Sequence, residues 1–306
     1  MKQRALSMIK AGRGRNANPW ILVLPAFMLL LLFNIFPLVW SLGLSFYSFS
    51  LIIRQKPNFV WVSNYANLIT SQETWDRFAK TGVFIGYSLI LQFGLALLFS
   101  LLLFGEFKGR KVVITALTIP LMIAPVASAL IFRYLFDEMF GPVNQFLRSH
   151  LGVSPLWFSN ELSPIGVPYA MLMVILVETW IWTPFVMFLI MAGISAIPQD
   201  LVEQSRVDGL RFRYVFRFVI LPYVKPMLAI ALIFRFMDSL KTFDTVYVLT
   251  AGGPGTTTEL ISVHIYKLAF ERWDFGSATA LSYLVLVIVI FATNLFMHYL
   301  MGGGER

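Results

Sequence analysis

Long apolar runs dominate the pattern of hydrophobic and polar positions along the chain. Six stretches are made almost entirely of apolar residues, at positions 20–47, 82–104, 112–132, 168–194, 219–236 and 278–300. A helix needs about 20 such residues to cross a hydrocarbon layer about 30 Å thick, because each residue rises about 1.5 Å. The pattern therefore predicts an all-α integral membrane protein with six transmembrane helices.

Composition supports the membrane class and excludes several kinds of site. Hydrophobic residues make up 58% of the 306 residues and charged residues only 13%, too few for a water-facing surface of this size. The chain has no cysteine, which excludes disulfides and iron–sulfur clusters. Three histidines, His150, His264 and His298, are far apart and show no ligand spacing, so no metal site is predicted.

The positions of the basic residues predict the orientation in the membrane. The net charge is +8, and basic residues lie mainly beside the ends of apolar runs rather than along a stripe that would follow nucleic acid. By the positive-inside rule both termini are cytoplasmic, with a basic tail at 1–18 ahead of a membrane domain at 19–304. The residues behind this orientation are Lys2, Arg4, Lys10, Arg13, Arg15, the cluster Lys108, Arg110 and Lys111, and the group from Arg206 to Arg217.

The connection at 197–222 differs from every other loop. Pro198 suits a first helical turn, and Asp200 and Glu203 place negative charge near that N-terminus, where the helix dipole favours it. Gly209 can adopt the left-handed conformation that ends a helix. The segment predicts a short charged helix on the cytoplasmic surface, then a turn and a helix that enters the membrane.

The spacing in this connection resembles the EAA loop of ABC importer permeases. That signature reads Glu-Ala-Ala, three residues, Gly, nine residues, Ile, any residue, Leu-Pro. Glu203, Gly209 and the pair Leu221-Pro222 fall in register, with Val219 at the isoleucine position. Gln204 and Ser205 replace the two alanines. Serine is still small, but glutamine is not, so this turn departs from the pattern.

Other segments extend the resemblance to most of the chain and point to the maltose-type, carbohydrate-uptake branch of these permeases. They follow one another in the family's order, and each is short. They are Asn64-Tyr65 with Leu68, Gly141-Pro142-Val143-Asn144 with Leu147, Trp182-Thr183-Pro184-Phe185, and the segment from Phe243 through Gly252-Gly253 to Pro254.

The resemblance implies a type I ABC importer permease fold in the bacterial inner membrane and a subunit that moves a sugar, polyol or sugar derivative by alternating access. It implies a second permease as a heterodimer partner, two ATP-binding subunits and an external solute-binding protein. The sequence has no Gly-x-x-x-x-Gly-Lys-Ser/Thr motif, so we expect no enzyme activity and no cofactor in this chain, with ATP and magnesium on the partner subunits. The residues expected to couple to the ATPase are Glu203, Gln204, Ser205, Arg206, Asp208, Gly209 and Leu210.

Charged residues in the spans and at their ends are candidates for the solute path. Glu178 lies deep in the fourth run beside Trp180 and Trp182, and a carboxylate at that depth is costly unless paired or hydrated. A structural ion pair explains Glu178 equally well. Arg235, Asp238, Lys241 and Asp244 recur every three residues, as a self-neutralising ladder or as part of the path.

The turn at Gly252, Gly253 and Pro254 is expected to face the solute-binding protein, although such residues also make an ordinary flexible hairpin.

Three other functions stay open. An ABC permease for an anionic solute would use Arg133 and Arg235. An ion-coupled secondary transporter would show several carboxylates in its spans and two matching halves. A multipass membrane enzyme would need a catalytic cluster.

Overall fold

A computed structural model of the chain describes residues 19–52, 54–105 and 107–301. The predicted tail at 1–18 and the end of the predicted membrane domain at 302–304 lie outside the described residues. Helix α1 contains the segments Pro19–Leu30, Leu31–Ile35 and Phe36–Leu44. The other elements are β1 Tyr47–Ser50, β2 Arg54–Phe59, α2 Ser63–Thr70, α3 Gln72–Leu102, α4 Arg110–Met122, α5 Pro125–Leu135, α6 Pro142–Leu151, α7 Tyr169–Ser195, α8 Gln199–Val207, α9 Phe212–Ser239, α10 Asp244–Thr250, α11 Ile261–Tyr266 with Lys267–Glu271, and α12 Phe275–Met301.

The predicted membrane class is confirmed by the lengths of these helices. Among the described residues α1, α3, α7, α9 and α12 are long and apolar enough to cross a membrane, and the pair α4 and α5 makes up to six crossings if it counts as one. Several helices run beyond their apolar runs, since α3 begins at Gln72 rather than at 82 and α9 at Phe212 rather than at 219. A helix does not have to stop where it leaves the hydrocarbon, because its backbone hydrogen bonds are internal.

The third crossing, expected as one helix over 112–132, is broken instead. Helices α4 and α5 meet at an angle of 98°. Pro125 opens α5, and the residue before it, Ala124, is extended, with φ −58° and ψ +137°. A residue that precedes proline is driven out of the α conformation, and the proline offers no N–H to continue the helix. Pro125 therefore ends one helix and starts another, whereas Pro120 and Pro184 stay inside helices.

A two-stranded antiparallel hairpin, β1 with β2, follows α1. The first apolar run was expected to remain helical to residue 47, but the helix ends at Leu44 and Tyr47 pairs with Phe59. The aromatic rings of this pair lie 5.2 Å apart. Cross-strand aromatic contacts of this kind stabilise a short hairpin, which the apolar run alone did not reveal.

Helix α7 is the central element of the bundle. Most of its residues are buried, and it packs against α3, α9 and α4. By contrast, α1 exposes apolar side chains from Val23 to Leu42. Apolar side chains that face lipid need no protein cover, so this exposure fits a helix at the periphery of the subunit.

Two asparagines from the family-like segments hold connections in place. Asn64 is buried and donates from Nδ2 to the carbonyls of Ser45 and Tyr47, at 2.8 and 2.9 Å. Asn144 is buried as well, and its Nδ2 donates to the carbonyls of Glu138 and Pro155, at 3.2 and 3.1 Å, while its Oδ1 accepts from Trp157 Nε1 at 2.6 Å. Buried backbone groups must find partners, and these amides supply them where the chain leaves regular structure.

Gly193 brings α7 and α9 into close contact, and this contact generates the first prediction. A Cβ at Gly193 would lie 3.1 Å from the carbonyl oxygen of Tyr223 and from Cα of Val224. Gly193→Ala is expected to destabilise the purified protein by about 1–3 kcal/mol, because overpacked backbone has to move. Thermal unfolding in detergent measures the effect.

Gly94→Ala is the matched control, since a Cβ at Gly94 on α3 would meet no atom within 4 Å. This control is expected to be neutral or stabilising, because alanine favours a helix over glycine. Equal stability of the Gly193 and Gly94 variants would contradict the close packing of α7 on α9.

Candidate functional site

The predicted surface helix is present as α8, and it ends where the sequence indicated. Gly209 has φ +64°, the left-handed conformation. The N–H of Leu210 donates to the carbonyl of Ser205 at 3.1 Å, the bond that defines a Schellman ending. The N–H of Leu201 donates to the carbonyl of Pro198 at 3.1 Å, so Pro198 belongs to the first turn.

The residues of this loop divide into an inner and an outer face. Ser205 is buried, and its Oγ donates to the carbonyl of Val202 at 2.7 Å. The small residue expected at this turn therefore faces inward, and the larger Gln204 points outward. Val207 is 88% exposed. The other exposed members of the predicted set are Glu203, Asp208, Gly209 and Leu210; the side chain of Arg206 lies outside the described residues.

A second candidate site surrounds Arg235 in the middle of the bundle. Arg235 is 1% exposed. Its Nη2 donates to Glu178 Oε1 at 2.8 Å, its Nη1 to Asp238 Oδ2 at 2.8 Å, and its Nε to Gln92 Oε1 at 3.0 Å. The guanidinium carbon also lies 4.3 Å from the centre of the Trp182 ring, within the range of a cation–π contact.

One carboxylate oxygen in this cluster has no partner. Glu178 is 1% exposed, and its Oε2 has no hydrogen-bond partner among the described residues. Glu178 and Trp182 line a cavity of about 150 Å³, together with Asp238, Lys241 and Asp244. A buried oxygen that lacks a donor is unfavourable, so Glu178 keeps the capacity to accept one further hydrogen bond.

The structure brings together five of the six predicted solute-path residues. Lys241 joins the cluster through Asp238, with 3.5 Å between Nζ and Oδ1. Trp180 does not join, because it projects from another face of α7 and packs edge-on against Phe132 at 5.1 Å. Gln92 was missed by the sequence analysis. Its only signal is that it is an amide inside an otherwise apolar run.

A third polar cluster lies at the end of the bundle opposite α8, and the sequence analysis missed it. Glu259 is 3% exposed. Its Oε1 lies 2.9 Å from Arg77 Nε and 2.8 Å from His264 Nδ1, and its Oε2 lies 3.0 Å from Lys267 Nζ. Arg77 belongs to α3 and His264 to α11. Glu259 therefore connects the turn after α10 to the first turns of α3 and to α11.

The predicted contact turn is partly built into this cluster. Gly252 is buried, and a Cβ there would lie 3.1 Å from Lys267 Nζ and 3.3 Å from Glu259 Cβ. Its positive φ of +87° also favours glycine. Gly252 therefore packs against the subunit's own residues, whereas Gly253 and Pro254 are half-buried and line a cavity of about 420 Å³ at the surface.

The electrostatics of Glu259 follow from these partners. Burial alone would raise the pKa of its carboxyl, but hydrogen bonds from His264, Arg77 and Lys267 outweigh that effect and hold the pKa well below its usual value of 4.5. Glu73, Glu259 and His264 carry potential metal ligands within 4.8 Å of one another. Arg77, Lys267 and Arg272 already donate to the two carboxylates, so we interpret the cluster as an ion-paired network.

This network generates the second prediction. Glu259→Gln is expected to destabilise the protein by about 3 kcal/mol at neutral pH, because Arg77 and Lys267 lose a buried counter-charge. A carboxyl whose folded pKa is depressed stabilises the fold above its unfolded pKa and loses that contribution as pH falls through the folded value. The difference in melting temperature between wild type and Glu259→Gln should therefore shrink as the pH falls below 4.5.

Glu161→Gln serves as the control, since Glu161 is an exposed carboxylate and should unfold with the wild type at every pH. Both variants keep the other residues of the network, which are Arg77, His264, Lys267, Glu73 and Arg272. A gap between wild type and Glu259→Gln that stays constant from neutral to strongly acidic pH would show that charge is not the source of the stabilisation.

Comparison with known proteins places this geometry in a family. Residues 92–302 match the family described as binding-protein-dependent transport system inner membrane component. The chain is 34% identical over 279 residues to the trehalose/maltose transport system permease protein MalF of Thermococcus litoralis, covering 91% of this chain and 92% of that protein.

Solved structures agree with this match. A bacterial ABC transporter involved in the import of the acidic polysaccharide alginate has a chain with a TM-score of 0.76 and 25% identity, covering 96% of this chain and 99% of that one. The bacterial alginate ABC transporter in complex with its alginate pentasaccharide-bound periplasmic protein shares the fold, with a TM-score of 0.76 and 22% identity over 91% and 92% of the two chains. The chain therefore belongs to the inner-membrane permease family of binding-protein-dependent ABC transport systems.

Proposed function

We propose that this chain is the permease subunit of an ATP-driven importer that moves a sugar, polyol or sugar derivative across the bacterial inner membrane by alternating access. The observation that carries the proposal is the exposed helix α8 with its glycine ending at Gly209, in a chain of the permease family. The solute class is supported by the trehalose and maltose named for the Thermococcus relative and by the alginate named for the structural neighbours.

The proposed assembly contains three kinds of partner. A second permease completes the pathway as a heterodimer, two ATP-binding subunits hydrolyse ATP with magnesium, and an extracytoplasmic binding protein delivers the solute. The end of the bundle that carries α8 then faces the cytoplasm with both termini, as the basic residues beside the spans indicate. Gly253 and Pro254, at the opposite end, lie within reach of the binding protein.

Helix α8 is suited to dock in a groove of the ATP-binding subunit. Val207 at the end of α8 and Leu210 just after its glycine ending are exposed apolar residues, and Glu203 and Asp208 can pair with basic residues of a partner. The Schellman ending fixes where the helix stops, and α8 contacts the first turns of α9. Movement of the ATP-binding subunits would thus reach the spans through α9.

Gly209→Asp tests this docking and gives the third prediction. A Cβ at Gly209 meets no atom of the described residues within 4 Å, so there is room beside them for the new side chain. We expect ATP-driven uptake in proteoliposomes to fall at least about tenfold, since a misplaced or charged contact at an interface costs 1.4 kcal/mol or more. Co-purification of the ATP-binding subunits should fall in parallel.

Gly152→Asp is the matched control, because Gly152 also ends a helix in the left-handed conformation, with φ +69°, and also has open space around it. The two variants carry the same backbone strain, but only Gly209 lies on α8. Full uptake and full ATPase binding by Gly209→Asp would overturn the coupling role of this loop.

The cluster around Arg235 is our candidate for the solute path. Glu178, Trp182, Asp238 and Lys241 line one cavity with an unpaired carboxylate oxygen, and aromatic faces beside hydroxyl acceptors suit a sugar. Arg235 is already balanced by Glu178 and Asp238, and Arg133 donates to the carbonyl of Leu249 at 2.8 Å. Arg133 does not line this cavity, and the charge of Arg235 is balanced, so a neutral solute fits this cavity better than an anionic one.

The fourth prediction concerns Glu178→Gln. The amide keeps the size of the side chain but removes the charge that balances Arg235 and one hydroxyl acceptor. We expect the maximal uptake rate to fall about tenfold, equivalent to about 1.4 kcal/mol. The loss of folded protein in the membrane should be much smaller, because Asp238 and Gln92 still hold Arg235. Uptake at saturating loaded binding protein, normalised to folded permease, measures the effect.

A pair of tryptophan variants separates a role in the path from general packing. Trp182→Phe changes the cavity wall beside Arg235, while Trp180→Phe changes the packing against Phe132 on the other face of α7. Uptake should fall in the Trp182 variant only. Normal uptake by Glu178→Gln, or equal losses in the two tryptophan variants, would remove this cluster from the path.

A further inference from the structure

The largest of the described cavities lies behind α8, where several spans end. It has a volume of about 630 Å³. Ser100 and Leu103 at the end of α3, Arg110 at the start of α4, Ser195 at the end of α7 and Val202 on α8 contribute to its wall. The cavity therefore sits at the level where the apolar spans give way to the surface loop.

The lining of this cavity combines apolar side chains, polar side chains and one arginine. The apolar side chains are Leu103, Phe104, Met191, Ile194, Ile197 and Val202. Arg110 is the charged residue among those that line it, and no carboxylate is among the described lining residues. In the sequence, the connection 105–111 places Lys108 and Lys111 beside Arg110, against the single acid Glu106.

Arg110 is held in place but is not neutralised by a carboxylate among the described residues. Its Nε donates to the carbonyl of Leu103 at 3.0 Å. This bond fixes the guanidinium at the end of α3 and leaves its two terminal nitrogens without a partner among the described residues. A guanidinium in this state is a strong donor to phosphate oxygens, and basic pockets between transmembrane helices on the cytoplasmic side suit anionic headgroups.

We propose that this cavity binds the headgroup of an anionic phospholipid, with Arg110 on the phosphate and the six apolar side chains against the glycerol and upper acyl chains. The apolar lining residues and the position at the span ends favour a lipid over a soluble phosphate, which would gain nothing from apolar contacts. Gln199 and Val202 of α8 form part of the cavity, so the bound lipid would contact α8, the helix proposed to dock on the ATP-binding subunit. This last consequence rests on the proposed function, whereas the lipid binding does not.

Native mass spectrometry of the purified transporter tests the site directly. The protein is prepared in nanodiscs that contain phosphatidylglycerol and phosphatidylcholine, and the lipids that stay bound on transfer to detergent are counted. We expect phosphatidylglycerol to be retained preferentially. Arg110→Gln should reduce this retention about fivefold, which corresponds to the loss of about 1 kcal/mol for one basic residue near an anionic lipid surface. Arg110→Lys, which keeps the charge, should retain most of it.

Two further variants guard against misfolding and against a general surface effect. Lys108→Gln combined with Lys111→Gln changes only exposed side chains and should lower retention while the protein stays folded. Arg217→Gln removes an exposed arginine near the start of α9 that does not line the cavity, and should change nothing.

Equal retention of the two lipids by wild type, or equal losses in the Arg110 and Arg217 variants, would overturn the proposal. Displacement of the lipid by glycerol phosphate would reassign the site to a soluble phosphate and overturn it as well. The measurement needs neither ATP nor solute, so retention of the lipid by a protein that fails in uptake would count against the proposed function alone.

Discussion

Arg235 imposes the strictest constraint on this bundle, because its guanidinium is 1% exposed near the end of a membrane-spanning helix and inside the bundle. A charge in that position is tolerated only if a counter-charge and hydrogen-bond acceptors reach it. Glu178 on α7, Gln92 on α3 and Asp238 on α9 itself meet this need. The three helices are therefore held at one rotation and one height, with α7 in the centre. Apolar packing alone would fix the rotation and height of these helices less strictly, because lipid is as apolar as the side chains.

The remaining features divide between the two ends of this bundle. At one end Glu259 joins the turn after α10 to α3 through a buried, ion-paired network. At the other end α8 exposes Val207 and ends at Gly209. At the first end the charged groups are thus paired within the subunit, whereas at the second end an apolar side chain is exposed and can contact a partner. This asymmetry suits a subunit that receives work at one end and transmits it through α9 to the charged centre.

Sequence reasoning located the features that depend on local pattern. The apolar runs predicted the helices, and the spacing around Gly209 predicted the left-handed ending of α8, because both depend on neighbouring residues. The prediction from the sequence failed where the same local pattern allows two different backbone structures. A proline inside an apolar run can kink a helix or end it, and Pro125 ends α4, whereas Pro184 stays inside α7.

Long-range pairing was the other limit. Gln92 and Arg235 are 143 positions apart, and Arg77 and Glu259 are 182 apart, so no local spacing announces either contact. Trp180 and Trp182 were grouped because both are near Glu178, but the rotation of α7 separates them. That rotation is set by partners on α3 and α9, which a single helix sequence does not contain.

The central claim is that α8 docks on an ATP-binding subunit and receives its movement. The chain has no cysteine, so Val207→Cys introduces a single thiol at a position that is 88% exposed in the isolated subunit. A short thiol–amine cross-linker applied to the assembled transporter should join this thiol to the ATP-binding subunit, with a yield that changes when ATP is bound. If the thiol of Val207→Cys stays freely reactive and never cross-links in an assembled, active transporter, α8 does not dock on the ATP-binding subunit. Ion-driven uptake by the purified chain alone would contradict the docking as well.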